Sequence, residues 1–356
     1  MSDKTIVTST LVDNTHIKQI AALKKPSQLK QEIPNDAQDL VADTRREVAD
    51  VLHAQDSKRL MVVVGPCSIH DVEVAGEYAS KLMSLKEKYS DELLIVMRTY
   101  FEKPRTSVGW TGLVYDPHLD GSEDIPTGIE VSRRLLKTIN DMGMPCAVEL
   151  LDPITPQYFA DFVSWAAIGA RTVESQVHRQ LASGMSTPVG FKNSTDGRID
   201  VAVNAMTAAE RPHSFFSVNF EGELAMVRTN GNPDTHLVLR GGVGGPNYHA
   251  DAVNDAVNRG RSNGIRRPVM VDCSHANSGR DHRRQPIVAA DVLQQFASGQ
   301  SGIMGLMVES HINAGRQDWA PEVKLDHGVS ITDACIGWED TELLLEHAAR
   351  STAKVS

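Results

Sequence analysis

The chain of 356 residues carries 36 Lys and Arg against 46 Asp and Glu, a formal net charge of −10 with histidine neutral. That sign argues against a general nucleic-acid binder, whose surface is basic, and 41% hydrophobic with 23% charged residues argues against wholesale disorder. The apolar run at 60–64 is far too short to cross a bilayer, the start shows no apolar leader, and four scattered cysteines at 67, 146, 273 and 335 make no disulfide framework, so a cytoplasmic protein is expected.

The first 58 residues read as an extension. Residues 1–16 are polar and aperiodic, an arm rather than core. Pro34 closes a turn, after which Asn35 or Asp36 is placed to cap a helix running to about Gln55, with Leu40, Val41, Val48, Val51 and Leu52 on one face. From residue 60 a strand–helix rhythm begins. Strands are predicted at 60–64, 93–98, 145–149, 167–171, 187–191, 236–240, 268–272 and 303–308, apolar throughout as buried parallel strands are. Helices are predicted between them, among others at 72–89 and 124–142. The stretch 215–229 breaks the rhythm with two extended runs around Glu221-Gly222, a β-hairpin inserted at about 213–232. The pattern predicts an α/β fold, a (β/α)8 TIM barrel over 59–356 with an N-terminal helical extension at 1–58 and an inserted β-hairpin. A doubly wound open sheet is the rival, because periodicity does not show closure.

Every predicted strand ends in an ionisable or metal-binding group. In a barrel those ends converge on one face, where such folds place catalysis. The cations are Arg98, Lys103, Arg105, Arg171, Lys192 and Arg240. Guanidinium forks suit phosphate and carboxylate, and six cations exceed what one phosphate needs, which points to two anionic substrates. Cys67, His275, Glu309 and Asp333, with His70 and His311 in reserve, form a mixed donor set suited to a divalent transition metal. A nucleophilic Cys67 with His275 as its base is a second reading of the same residues.

These motifs together resemble the 3-deoxy-D-arabino-heptulosonate 7-phosphate (DAHP) synthase family, in its feedback-regulated microbial form. The resemblance rests on GPCSIHD at 65–71, MRTYFEKPRT at 97–106, GWTGLVYDPHLDGS at 109–122, IGARTVESQVHR at 168–179, PVGFKN at 188–193, LRGG at 239–242, DCSHAN at 272–277, GLMVES at 305–310 and SITDACIGWED at 330–340. It implies a carbon–carbon bond-forming transferase that condenses phosphoenolpyruvate with erythrose 4-phosphate and water, giving DAHP and phosphate. The Lys-Pro-Arg-Thr segment sets it apart from the sibling family that makes the eight-carbon product. The resemblance implies one divalent metal ion per subunit, manganese, iron, cobalt or zinc, on Cys67, His275, Glu309 and Asp333. It implies phosphoenolpyruvate on Arg98, Lys103, Arg171, Lys192 and Arg240, and erythrose 4-phosphate on Lys103, Pro104, Arg105 and Thr106. Lys103 is the expected proton donor, and Glu149 the residue expected to orient water. An aromatic amino-acid inhibitor is expected at a subunit interface, on Leu150, Gln157, Ser186, Phe215, Ser217 and Val227 with Asp13 from the arm, in a homodimer or homotetramer. Ser217, where tyrosine-inhibited members tend to carry glycine, leans towards phenylalanine or tryptophan. A metal-dependent phospho-sugar aldolase and a non-enzymatic phosphate-binding regulator are the rival functions. An aldolase needs no second full anion site, and a regulator would show damaged motifs, which these are not.

Overall fold

Continuous apolar runs form the strands here, because a parallel strand is covered on both faces. The computed structural model describes residues 11–18, 20–107, 109–300, 302–320 and 323–354. Its strands are Leu60–Gly65 (β1), Leu93–Arg98 (β2), Cys146–Glu149 (β3), Val163–Ile168 (β4), Val189–Lys192 (β5), Ser214–Val218 (β6), Leu224–Arg228 (β7), Thr235–Leu239 (β8), Val269–Asp272 (β9) and Ile303–Glu309 (β10). All except β6 and β7 form a closed barrel in which neighbours run parallel. Closure is made by β1, which pairs with β2 on one side and β10 on the other, so the open sheet is excluded. The helices are Pro26–Glu32 (α1), Gln38–Leu52 (α2), Val72–Lys88 (α3), Ile125–Asp141 (α4), Pro156–Phe159 (α5), Gln176–Gly184 (α6), Asp200–Ala209 (α7), Ala250–Ser262 (α8), Gln285–Ala297 (α9) and Trp338–Thr352 (α10). No helix among the described residues is long and apolar enough to cross a membrane.

Three expectations shift. The fourth strand, expected at 167–171, is Val163–Ile168 instead. Gly169 opens a turn, its carbonyl accepting from the amides of Thr172 (3.1 Å) and Val173 (3.0 Å), so Arg171 stands beyond the strand rather than ending it. The helix expected from Asn35 or Asp36 to Gln55 is shorter, with Ala37 at its N-cap. Asn35 serves the turn before it, its Oδ1 accepting from the Ala37 amide at 2.8 Å. A further helix, α1, precedes it, with Pro26 at its first position where the missing N–H costs nothing.

The extension closes the end of the barrel away from the strand carboxyl termini. Val48, Val51 and Leu52 of α2 share one buried cluster with Met61, Val63, Leu94, Val96, Trp165, Met270 and Met304 from the barrel interior. Arg45 of α2 donates to the carbonyls of Ala160 (2.6 Å) and Val163 (2.8 and 2.9 Å), the last being the first residue of β4. Arg133 of α4 is fully buried and binds the Ile33 carbonyl at 2.9 Å and both oxygens of Asp161, which also takes Lys30 of α1 at 2.9 Å. The hairpin β6–β7 is antiparallel and turns at Gly222 (φ +71°). It leans on α1: the Ser27 amide donates to the Phe220 carbonyl at 2.8 Å, and Lys30 Nζ lies 4.8 Å from the Phe220 ring centre.

Candidate active site

The barrel mouth is built by turns that leave each strand immediately after its last pair. At the end of β1, Gly65 (φ +154°) passes so close to β2 that a Cβ would lie 2.9 Å from the Arg98 carbonyl oxygen. The chain then places Cys67 fully buried beside Arg98. The Arg98 guanidinium lies 4.0 Å from the Tyr100 ring centre and donates to Glu309 Oε1 at 3.1 Å, pairing the ends of β2 and β10. The neighbouring backbone of Glu309 is clamped by Gln285, whose amide takes the Glu309 N–H and carbonyl at 2.9 Å each. Asp333 arrives on the loop after β10, and its backbone amide donates to Cys67 Sγ at 3.4 Å. Lys103 Nζ donates to Cys67 Sγ at 2.8 Å and to Asp333 Oδ2 at 3.1 Å.

Donor atoms of Cys67, Glu309 and Asp333 all lie within 4.8 Å of one another. His275 joins from the turn after β9, with its backbone left-handed at φ +55°. Its Nδ1 lies 2.9 Å from Asp272 Oδ2 and 2.6 Å from Ser274 Oγ, which itself donates to Asp272 Oδ1 at 2.6 Å. Either contact assigns the proton to Nδ1 and leaves the Nε2 lone pair free, 3.9 Å from Glu309 Oε1. A thiol, an imidazole nitrogen and two carboxylates with an oriented tautomer fit a divalent transition metal. Burial, with Glu309 beside it, pushes the Cys67 thiol up to about 12, so a thiolate here needs a cation. Lys103 holds the Asp333 carboxyl below the usual carboxylate range. Burial opposes the Lys103 charge, yet the facing Cys67, Asp333 and Glu309 raise its pKa overall.

A cavity of about 480 Å³ opens above this set, lined among others by Lys103, Pro104, Arg105, Thr106, Glu149, Arg171, Lys192, Arg240, His275, Glu309 and Asp333. Arg98 and Cys67 lie behind the wall, 1% and 0% exposed. Lys192 pairs with Asp272 at 2.8 Å, so β5 and β9 are tied as β2 and β10 are. The remaining cations are different. Among the described residues the Arg171 guanidinium donates only to Thr106 Oγ1 at 3.5 Å, and the guanidinium of Arg240, 7% exposed, only to the Gly241 carbonyl at 3.3 Å. Among the described residues no carboxylate pairs with Arg105, Arg171 or Arg240, a field that calls for an anion. Glu149 enters the same cavity because Gly169 has no side chain; a Cβ there would stand 2.1 Å from Glu149 Oε1.

The sequence-predicted metal and substrate residues thus gather at one mouth. His70 and His311 do not line the cavity; their rings pack 6.1 Å apart, and burial lowers both pKa values. Cys67 touches Lys103 and Asp333 rather than an imidazole, which leaves the nucleophile reading without its base. The residues expected to hold an effector sit on several elements. Phe215 and Val227 are cross-strand partners on the hairpin, with Ser217 on the same half-buried face. Leu150 follows β3, Gln157 lies on α5, Ser186 follows α6, and Asp13 is exposed on the arm. The sequence placed Asp272 and Ser274 at a strand end without a role, and held no sign of Gln285, Arg280 and Arg316. Asp272 ends its strand three residues before His275, a usable signal; Arg280 stands on a turn and Arg316 in a β-bridge with Ser330, whose course no pattern announces.

Comparison with known proteins points one way. The profile of the DAHP synthetase I family matches residues 11–346. A phospho-2-dehydro-3-deoxyheptonate aldolase of Escherichia coli K12, Phe-sensitive, is 52% identical over 341 residues, 95% of this chain and 97% of the relative. The Tyr-sensitive enzyme of the same organism is 50% identical over 337 residues, 94% of each chain. A solved phospho-2-dehydro-3-deoxyheptonate aldolase from Francisella tularensis SCHU S4 superposes with a TM-score of 0.93 at 45% identity, covering 96% of this chain and 99% of that one.

Proposed function

This chain belongs to the DAHP synthetase I family, and from that premise we propose that it condenses phosphoenolpyruvate with erythrose 4-phosphate and water, giving DAHP and inorganic phosphate. The observation that carries the reading is one cavity in which a candidate metal donor set adjoins arginines that have no carboxylate partner among the described residues. An aldolase acting on one phosphosugar needs fewer free cations, and a binding-only protein needs no buried thiol set among carboxylates.

Cys67, His275, Glu309 and Asp333 hold the divalent metal in this reading. When bound, it supplies Lewis-acid polarisation of the aldehyde oxygen of erythrose 4-phosphate. Arg171, Lys192 and Arg240 grip phosphoenolpyruvate with Arg98 and Lys103, while Arg105, Thr106, Pro104 and Lys103 seat the aldehyde substrate. The cations hold two anions together that repel in water, which is where proximity contributes most. Carbon 3 of phosphoenolpyruvate attacks the aldehyde carbon, and Lys103 gives its proton to the new alkoxide. Water, oriented by Glu149, adds at carbon 2, and the carbon–oxygen bond to phosphate then breaks.

The arm and hairpin carry feedback inhibition by an aromatic amino acid, phenylalanine or tryptophan ahead of tyrosine. The outer hairpin face, Phe216, Leu224 and Met226 at 85%, 80% and 70% exposure, is covered by a second copy of the chain in a homodimer or homotetramer. The deciding assay mixes both substrates with each divalent metal and measures phosphate release, then repeats it with each aromatic amino acid. No phosphate under any metal overturns the reading.

A further inference from the structure

A second cavity, about 380 Å³, lies outside the reaction cavity and shares Thr195, Arg240 and Arg280 with it. Arg284 lines only the outer one. Among the described residues no Asp or Glu lines it. The carboxylates nearest along the chain are already taken: Asp281 pairs with Arg283 at 2.8 Å, and Asp196 pairs with Arg198 at 2.8 Å. Among the described residues Arg280 and Arg284 have no ion-pair partner, and the Arg240 guanidinium has only a backbone carbonyl.

The backbone is bent to build this wall. Gly279 and Arg280 are both left-handed at φ +63°, an unusual conformation for arginine, and the Arg280 amide is held to the His275 carbonyl at 2.7 Å. Gly241 (φ +73°) lets the β8 loop approach this turn; a Cβ there would lie 2.8 Å from the Asn277 amide nitrogen. Arg280 is thereby set on the partition between the cavities, within five residues of the proposed ligand His275.

We propose that this outer cavity is a second site for a phosphate dianion, gripped by Arg280 and Arg284 and reached across Arg240. It rests on the reaction proposed above, which breaks the carbon–oxygen bond of phosphoenolpyruvate and leaves inorganic phosphate beside Arg240. A dianion moving from Arg240 then meets further guanidinium forks before bulk solvent. The same chemistry belongs to the phosphate end of arriving phosphoenolpyruvate, so the test separates the two sources.

The metal-loaded full chain is titrated calorimetrically with inorganic phosphate while phosphoenolpyruvate saturates the inner cavity. The parent binds phosphate, and the Arg280→Gln, Arg284→Gln double variant binds it about tenfold or more weakly, the scale of lost charge-assisted hydrogen bonds. If leaving phosphate uses the site, Arg284→Gln lowers kcat but spares single-turnover product formation. If arriving phosphoenolpyruvate uses it, the same variant lowers kcat/KM for phosphoenolpyruvate and spares kcat. Unchanged kcat and kcat/KM in Arg284→Gln overturn the proposal. So does phosphate binding that survives in the double variant but is lost in Arg105→Gln, which assigns it to the aldehyde substrate's site. Because the titration needs no turnover, a parent that binds phosphate through these arginines yet releases none from its substrates overturns the reaction and leaves the anion site standing.

Discussion

Lys103 is the residue on which charge, burial and chemistry meet, 8% exposed and bonded to both Cys67 and Asp333. Lys103→Met keeps the stem and removes the ammonium. Turnover is expected to fall by about 10²–10⁴ or more, the range of lost general-acid catalysis, while the thermal midpoint of the metal-loaded protein stays near the parent's. Phosphate release at parent rates would remove it from the acid role. Its neighbour Glu102 is 3% exposed, accepts from Tyr115 Oη at 3.1 Å and Thr155 Oγ1 at 3.0 Å, and is pushed up to about 8 by burial and then by Asp152. A raised carboxyl pKa means the folded chain holds a proton that the unfolded chain has lost. Stability therefore falls as pH rises from about 4.5 to about 8, by as much as about 1.4 kcal/mol per pH unit. Glu102→Gln should flatten the thermal midpoint against pH in that window; an unaltered slope would show that Glu102 is not its source. The strand-end cations and the candidate donor groups were legible as one cluster because strand ends converge, but the pairing of Lys192 with Asp272 was not. Sequence order says nothing of which charges meet across the barrel.

At the scale of elements, parallel strands betrayed themselves as unbroken apolar runs, and β1, β2 and β10 fell where expected. The shift at β4 has a local cause. Its apolar stretch from Phe162 to Ala170 is longer than the strand, and only the hydrogen bonds to the Gly169 carbonyl decide where pairing stops. The short helix α1 left no amphipathic period long enough to read. The helix α2 was readable, but not its task of plugging the barrel, which needs tertiary contacts. Leu52→Ala should cost about 2–5 kcal/mol, measured by denaturant unfolding. Both KM values should stay unchanged, because α2 meets the start of β4 and not the mouth. A shift in either KM would mean the plug and the site are coupled. The hairpin gives the converse case. Phe215→Ala should relieve inhibition by the aromatic effector about tenfold or more, the order expected when an aromatic contact is truncated, while kcat in its absence is kept. Inhibition curves that overlay the parent's would take the hairpin out of the effector site.

For the whole molecule, closure joins β1 to β10 across most of the sequence, a pairing no local pattern carries. The same long-range assembly separates the sign of the molecule from the sign of its mouth. The net charge is −10, yet the two cavities bring together Lys103, Arg105, Arg171, Arg240, Arg280 and Arg284, with Glu149, Glu309 and Asp333 as the acidic lining residues among those described. Which field an approaching dianion feels depends on distance. Salt at about 0.1 M screens beyond about 10 Å, and a partly enclosed pocket is screened less than an open surface. If the overall charge governed encounter, added salt would relieve repulsion and raise kcat/KM for phosphoenolpyruvate. If the mouth governs, salt weakens an attraction. We expect kcat/KM to fall several-fold between about 0.02 M and about 0.3 M potassium chloride at fixed metal concentration, with kcat changing little. The Arg280→Gln, Arg284→Gln variant should show a shallower fall, since part of the attracting field is gone. A rise with salt in the parent would mean that the acidic surface, not the cationic mouth, sets the rate at which substrate arrives.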